Sequence, residues 1–135
     1  MNKILVTGSA GFIGYHLVER LLEDGYEVLG IDNINNYYDV MLKEARIAQL
    51  KHHENYNFVK VDISDRVAFT SIFSSFHPNK VIHLAAQAGV RYSIKNPYAY
   101  LDSNLTGFLN ILELCRYNDV QGLIYASSSS VYGRN

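Results

Sequence analysis

Cysteine is nearly absent from this chain. Its 135 residues contain one, Cys115, which excludes an internal disulfide and fits a reducing compartment. Proline is scarce as well: Pro78 and Pro97 are the only two, and no linker or internal repeat divides the sequence. No apolar run approaches the roughly 18 residues that a bilayer span requires. The run Ile4-Leu5-Val6 after Lys3 is cut short by glycine, too early for a signal peptide. Formal net charge is -1, so nothing draws the chain to nucleic acid or to an anionic membrane. Five histidines and the single cysteine are scattered without metal-ligand spacing, and no metal site is expected. What remains is 48% hydrophobic and 19% charged. That is globular composition, enough for one domain with one core, expected in the cytoplasm.

Short β-branched runs alternate with helical patterns. Strands are predicted at 3–7 (KILVT), 26–32 (YEVLGID), 57–62 (NFVKVD), 80–86 (KVIHLAA) and 122–128 (GLIYASS). Between them, Ile13, Leu17 and Leu21 recur at a spacing of four and predict a helix from Phe12 to Asp24. Gly25 suits the left-handed position just past it. Met41, Ala45 and Ala48 mark a second helix, from about Tyr38 to His52. Ser64 and Asp65 can cap a third, with Phe69, Ile72, Phe73 and Phe76 on one face; His77-Pro78 ends it. A long helix is predicted from about Tyr98 to Tyr117. Leu101, Leu105, Leu109 and Leu112 form one apolar stripe on it, and Ile111, Leu114 and Cys115 extend beyond. One stripe can cover the sheet; the other needs a partner. Alternation of this kind implies a parallel sheet with helices on both faces.

The stretch VTGSAGFIG sets Gly8, Gly11 and Gly14 between the first strand and the first helix. Gly8 permits a sharp turn, Gly11 a close approach of backbone to a pyrophosphate, and Gly14 tight packing of helix on strand. The helix N-terminus then offers free N–H groups to phosphate. Asp32 stands at the end of the next strand, where a carboxylate accepts from both ribose hydroxyls and repels a 2′-phosphate. This context favours NAD over NADP and argues against a merely structural turn. His16 and His83 read as packing residues.

The spacing G-x-x-G-x-x-G in TGSAGFIG resembles that of the extended short-chain dehydrogenases/reductases, the NAD-dependent epimerases and dehydratases of nucleotide sugars. The resemblance runs along the whole chain. VDISD (61–65) is similar to the family's adenine-contacting turn, HLAAQAG (83–89) to its fourth-strand motif, Asn104 and Gly107 to its N-x-x-G helix motif, and SSSSVYG (127–133) to its active-site serine strand. Within the family, 32–50 and 85–100 look most like UDP-glucuronate 4-epimerases, which supply galacturonate for polysaccharide and capsule synthesis. The resemblance implies a Rossmann-type doubly wound α/β sheet, here truncated after the fifth strand. Residues 1–135 would be an incomplete dinucleotide-binding domain without its C-terminal nucleotide-sugar domain.

The implied NAD-binding residues are Gly8, Gly11, Phe12, Ile13, Gly14, Asp32, Asn33, Asp62, Ile63, Leu84, Ala85, Ala86, Asn104 and Ser127. Gln87, Arg91, Ser93 and Ser129 would face a UDP-sugar. Arg91 equally suits a surface salt bridge, and Ser93 suits a turn cap better than a sugar contact. Ser128, counted back from Val131-Tyr132-Gly133, matches the hydroxyl that bonds the sugar 4-OH while a tyrosine deprotonates it and hydride passes to NAD and back. A dehydratase would be expected to carry an acidic pair where Ser129 and Ser130 stand. The family's Tyr-x-x-x-Lys pair does not follow the serine strand in these residues. The one match, Tyr56 to Lys60, runs into the third strand and cannot flank Ser128; Tyr132 lacks a lysine four residues on. The expectation is therefore an N-terminal fragment with little or no epimerase activity, from a protein that pairs as a homodimer through helix 98–117.

Overall fold

A computed structural model describes residues 2–34, 39–86 and 94–127. Five strands form one sheet: β1 (Lys3–Thr7), β2 (Glu27–Asp32), β3 (Tyr56–Lys60), β4 (Lys80–His83) and β5 (Gly122–Tyr125), in the order β3-β2-β1-β4-β5. Every pairing is parallel. Between strands run α1 (Phe12–Glu23), α2 (Val40–Leu50), α3 (Arg66–Phe76), the single turn α4 (Pro97–Tyr100), a π-helical stretch (Leu101–Thr106) and α5 (Gly107–Tyr117).

The central strands β1 and β2 are buried on both faces because helices cover both. Leu5, Leu29, Ile31 and Val81 pack with Phe69 and Phe73 of α3 and Ile111 and Leu114 of α5. Ile4, Val6 and Val28, on the other face, pack with Val18 and Leu22 of α1 and Leu50 of α2. Alternate residues of one strand thus serve opposite cores, as the pleat requires. This is the doubly wound arrangement expected from the alternation of elements.

Several details differ from the predicted pattern. The fourth and fifth strands end at His83 and Tyr125, and the residues after them are released from the sheet into loops. The inward face of α1 is Gly14, Val18 and Leu22, one residue on from the predicted stripe, and Ile13 is exposed. The shift follows from Gly14, the residue without a side chain, which lets this face sit against the glycine loop. On α2 the buried residues are Lys43, Ile47 and Leu50, whereas Met41, Ala45 and Ala48 face outward. Asp65 alone caps α3, accepting from the Ala68 N–H at 3.2 Å, and His77 ends that helix in the left-handed region at φ 54°. The long helix exists from Pro97 to Tyr117, with the π stretch inside it. Its Ile111–Leu114 side covers the sheet, while Leu101, Leu105, Leu109 and Leu112 remain exposed.

Candidate functional site

The order β3-β2-β1-β4-β5 makes β1 and β4 the place where successive connections leave for opposite faces. In open parallel sheets the crevice beyond such strand ends receives the ligand. A cavity of about 520 Å³ opens there, within the range usual for small-molecule sites. The loops after β1, β2, β3, β4 and β5 all contribute to its wall.

The glycine loop forms the floor. Gly8 has φ +69°, and a Cβ there would stand 2.9 Å from the Ala85 nitrogen. The loop after β1 therefore lies directly against the loop after β4. A Cβ on Gly14 would land on the Gly8 carbonyl oxygen. Helix α1 has Gly11 as its N-cap residue and no side-chain cap, so its first N–H groups are left for a ligand. Unpaired amides at a helix N-terminus, with its positive dipole end, favour an anion such as phosphate.

Thr7 ties β1 to the other wall. Its hydroxyl accepts from the Leu84 N–H at 3.0 Å and from the Ala85 N–H at 3.1 Å. It also lies 2.7 Å from His83 Nδ1. His83 is buried and stacks on Phe108 with ring centroids 5.4 Å apart; burial pushes its pKa down to about 4. The expected packing role of His83 matches this setting, whereas His16 is exposed on α1.

Asp32, at the end of β2, is almost wholly buried. Its Oδ1 accepts from the Ile34 N–H at 2.8 Å and from Lys43 Nζ at 3.2 Å; Oδ2 accepts from the Ala10 N–H at 3.1 Å. A carboxylate has about four acceptor positions, so about one is left for a ligand hydroxyl instead of the two expected. Lys43 supplies further donors beside it and lines the same cavity. Arg46, one turn on, donates to the Ala10 carbonyl at 3.0 Å and stands over the Phe12 ring. Lys43 and Arg46 escaped the sequence reading because a lysine in a helix ordinarily reads as a solvated face. The available signal was their i, i+3 spacing opposite an acidic strand end.

Gly8, Gly11, Phe12, Ile13, Gly14, Asp32, Asn33, Asp62, Ile63, Leu84, Ala85 and Ala86 all line the cavity. From the long helix, Ser103 reaches the wall in place of the neighbouring Asn104. Just past β5, Ala126 does so, with Ser127 exposed next to it. Gln87, Arg91, Ser93, Ser128 and Ser129 lie outside the described residues. Tyr56 is buried at the far edge strand, with three strands between it and β5; burial raises its pKa to about 12. It is no partner for the serine strand. Among the described residues, no cluster of three His, Cys, Asp or Glu groups has metal-binding geometry. Among them, too, no helix is long and apolar enough to cross a membrane.

A parallel doubly wound sheet with a glycine loop and a buried acid at the next strand end defines a Rossmann-type dinucleotide-binding fold. Residues 5–135 match the family model described as GDP-mannose 4,6 dehydratase, and the chain belongs to that family of extended short-chain dehydrogenases/reductases. It is 51% identical over 132 residues to a UDP-glucuronate 4-epimerase of Thermodesulfobacterium geofontis, covering 98% of this chain and 41% of that protein. It is 53% identical over 133 residues to the protein CapI of Staphylococcus aureus, covering 98% and 40%. The solved structure of a UDP-glucuronic acid 4-epimerase from Bacillus cereus, in complex with UDP-glucuronic acid and NAD, superposes with a TM-score of 0.87. The identity is 36%, over 98% of this chain and 42% of that one. The chain thus spans about 40% of the length of the curated relatives it matches.

Proposed function

We propose that this chain is the cofactor-binding part of an NAD-dependent nucleotide-sugar 4-epimerase that interconverts UDP-glucuronate and UDP-galacturonate in the cytoplasm for polysaccharide or capsule synthesis. The observation that carries the reading is the cavity at the strand ends, where an uncapped helix N-terminus and a buried Asp32–Lys43 pair face the same space. Gly8 and Gly14, which close its floor, have no room for a Cβ. The site fits NAD: the α1 N-terminus would hold the pyrophosphate, Asp32 and Lys43 the ribose, and the Asp62-Ile63 turn the base. NAD, when bound, supplies a reversible hydride acceptor. On this reading Ser128 donates or accepts a hydrogen bond at the sugar 4-hydroxyl, Arg91 meets the sugar carboxylate, and Gln87, Ser93 and Ser129 orient the sugar. Asn104 and Ser127 would complete the cofactor wall. No Tyr-x-x-x-Lys follows the serine strand in these 135 residues, so the proposal gives this chain cofactor binding and substrate orientation without turnover by itself. The exposed Leu101, Leu105, Leu109 and Leu112 face would pair with a second copy of the protein.

The family model's description favours a second reading, a sugar-nucleotide 4,6-dehydratase; a UDP-glucuronate decarboxylase is its relative in chemistry. Ser129 and Ser130, standing where an acidic pair would be expected, support the epimerase. A protein carrying this segment together with the rest of its open reading frame should convert UDP-glucuronate to UDP-galacturonate without added reductant. Formation of a 4-keto-6-deoxy product from a nucleotide hexose that keeps its C6 hydroxyl, or loss of carbon dioxide from UDP-glucuronate, would replace the epimerase by one of the alternatives. A non-catalytic NAD-binding module would bind cofactor and turn over none of these sugars.

A further inference from the structure

The turn after β3 is held from a distance. Val61 donates to the Asp32 carbonyl at 3.1 Å, which ties the turn to β2. Asp62 Oδ1 accepts from the Ser64 N–H at 2.9 Å and from its hydroxyl at 2.7 Å, which closes the turn on itself. The third tether comes from α5: Asn110 Nδ2 donates to the Ile63 carbonyl at 2.8 Å, across 47 positions of sequence. One helical turn earlier, Gly107 receives the Ile63 side chain, and a Cβ there would stand 2.6 Å from Ile63 Cδ1. Ile63 is thus gripped by backbone and by side chain from the same helix.

The π-helical stretch that leads into α5 carries Ser103, which lines the cavity that Asp62 and Ile63 line. Asn110 therefore sets the Asp62-Ile63 turn in register with the wall across from it. Asp62 has one oxygen committed to Ser64; among the described residues its Oδ2 takes no hydrogen bond. An acceptor so placed suits an exocyclic amino group and opposes a carbonyl at the same place.

We propose that Asn110 is a positioning residue for the base end of the dinucleotide cavity, which it tunes to an aminopurine by fixing the Asp62-Ile63 turn. The proposal rests on the dinucleotide reading above and adds to it a residue that touches no ligand.

The test compares NAD with nicotinamide hypoxanthine dinucleotide, which carries a carbonyl in place of the adenine amino group. Affinities are measured by calorimetry on the chain and on Asn110→Leu, Asn110→Thr and Asn110→Gln, each checked for folding without ligand. The unsubstituted chain should prefer NAD by about tenfold or more, the worth of one well-made polar contact against an opposed one. Asn110→Leu should weaken NAD several-fold and bring the two affinities together. Asn110→Gln, which keeps the amide donor, should restore part of the preference. Should the leucine variant not fold, the threonine variant carries the same comparison, since it lacks the reach to Ile63. An unchanged NAD preference in a folded Leu or Thr variant overturns the role of Asn110 alone. Equal weakening of both dinucleotides reduces Asn110 to a structural contact and also overturns it. No NAD binding by the unsubstituted chain overturns the dinucleotide reading together with this one.

Discussion

The Thr7 hydroxyl lies 2.7 Å from His83 Nδ1, and the hydrogen bonds around Thr7 decide which of the two carries the proton. A hydroxyl has one proton to give and two lone pairs. The Leu84 and Ala85 amides use both lone pairs. Thr7 therefore donates, and His83 is a neutral imidazole with its proton on Nε2. An imidazolium at this place would bring a second proton into the same contact, with no acceptor there to take it.

This fixes the sign of a pH effect. His83 has a pKa of about 4 in the folded chain against 6.5 when unperturbed, because burial disfavours its charged form. Above pH 6.5 neither state binds the proton, and the contribution is complete. As pH falls below 6.5 the unfolded chain takes up a proton that the folded chain refuses, and stability declines until about pH 4. The ceiling is about 3 kcal/mol, since each pH unit between the two values is worth about 1.4 kcal/mol. Urea unfolding between pH 7.5 and pH 4.5 should show this loss, and His83→Gln should flatten that part of the profile. An identical slope in the variant would assign the loss to other groups.

The Asp32–Lys43 pair is closed to solvent on both sides. Removing one partner of such a pair strands the other's charge. Lys43→Met should cost about 3 kcal/mol, read as a lower midpoint in chemical denaturation. Adding Asp32→Asn should recover most of it, since the neutral amide needs no counter-ion. A double variant no more stable than the single one would contradict the charge argument.

Gly14→Ala should lower stability by roughly 1–3 kcal/mol, the usual cost of forcing atoms into a packed contact. The new methyl lands on the Gly8 carbonyl oxygen and pushes α1 off the loop. On the proposed function, the same change abolishes the rise in melting temperature produced by millimolar NAD. A melt with and without NAD reads both effects together.

The leucine face gives a prediction of a different kind. Leu105 is 64% exposed and Leu109 57%, so Leu105→Glu and Leu109→Glu should each change the chain's own stability by no more than about 0.5 kcal/mol. Sedimentation should show pairing of the unsubstituted protein and a monomer for the double variant. A monomer in both cases would remove the homodimer from the proposal.

Much of this was legible in the residues. The five strands and the helices between them followed from local periodicity, because each element alternates apolar runs with its own period. The glycine loop was readable because Gly8, Gly11 and Gly14 answer to backbone sterics, which depend little on distant contacts. Helix faces were less so. Ile13, Leu17 and Leu21 made a fair apolar stripe, yet Gly14 chose the inward side by being small. Lys43 was opaque for the opposite reason: its partner Asp32 lies eleven residues away on a strand, and no local pattern announces a buried ion pair. Asn110 met its carbonyl across the fold, so only the assembled structure brings it to the Asp62-Ile63 turn.

The buried Asp32–Lys43 pair has a consequence for timing. Water is stripped from both charges when the chain folds, long before a ligand arrives. An arriving ribose hydroxyl therefore meets groups that are already largely dry and already oriented, and binding displaces only the water on the one side that faces the cavity. Mobile salt cannot screen what it cannot reach. At this end of the cavity, affinity is set by geometry and is nearly indifferent to ionic strength.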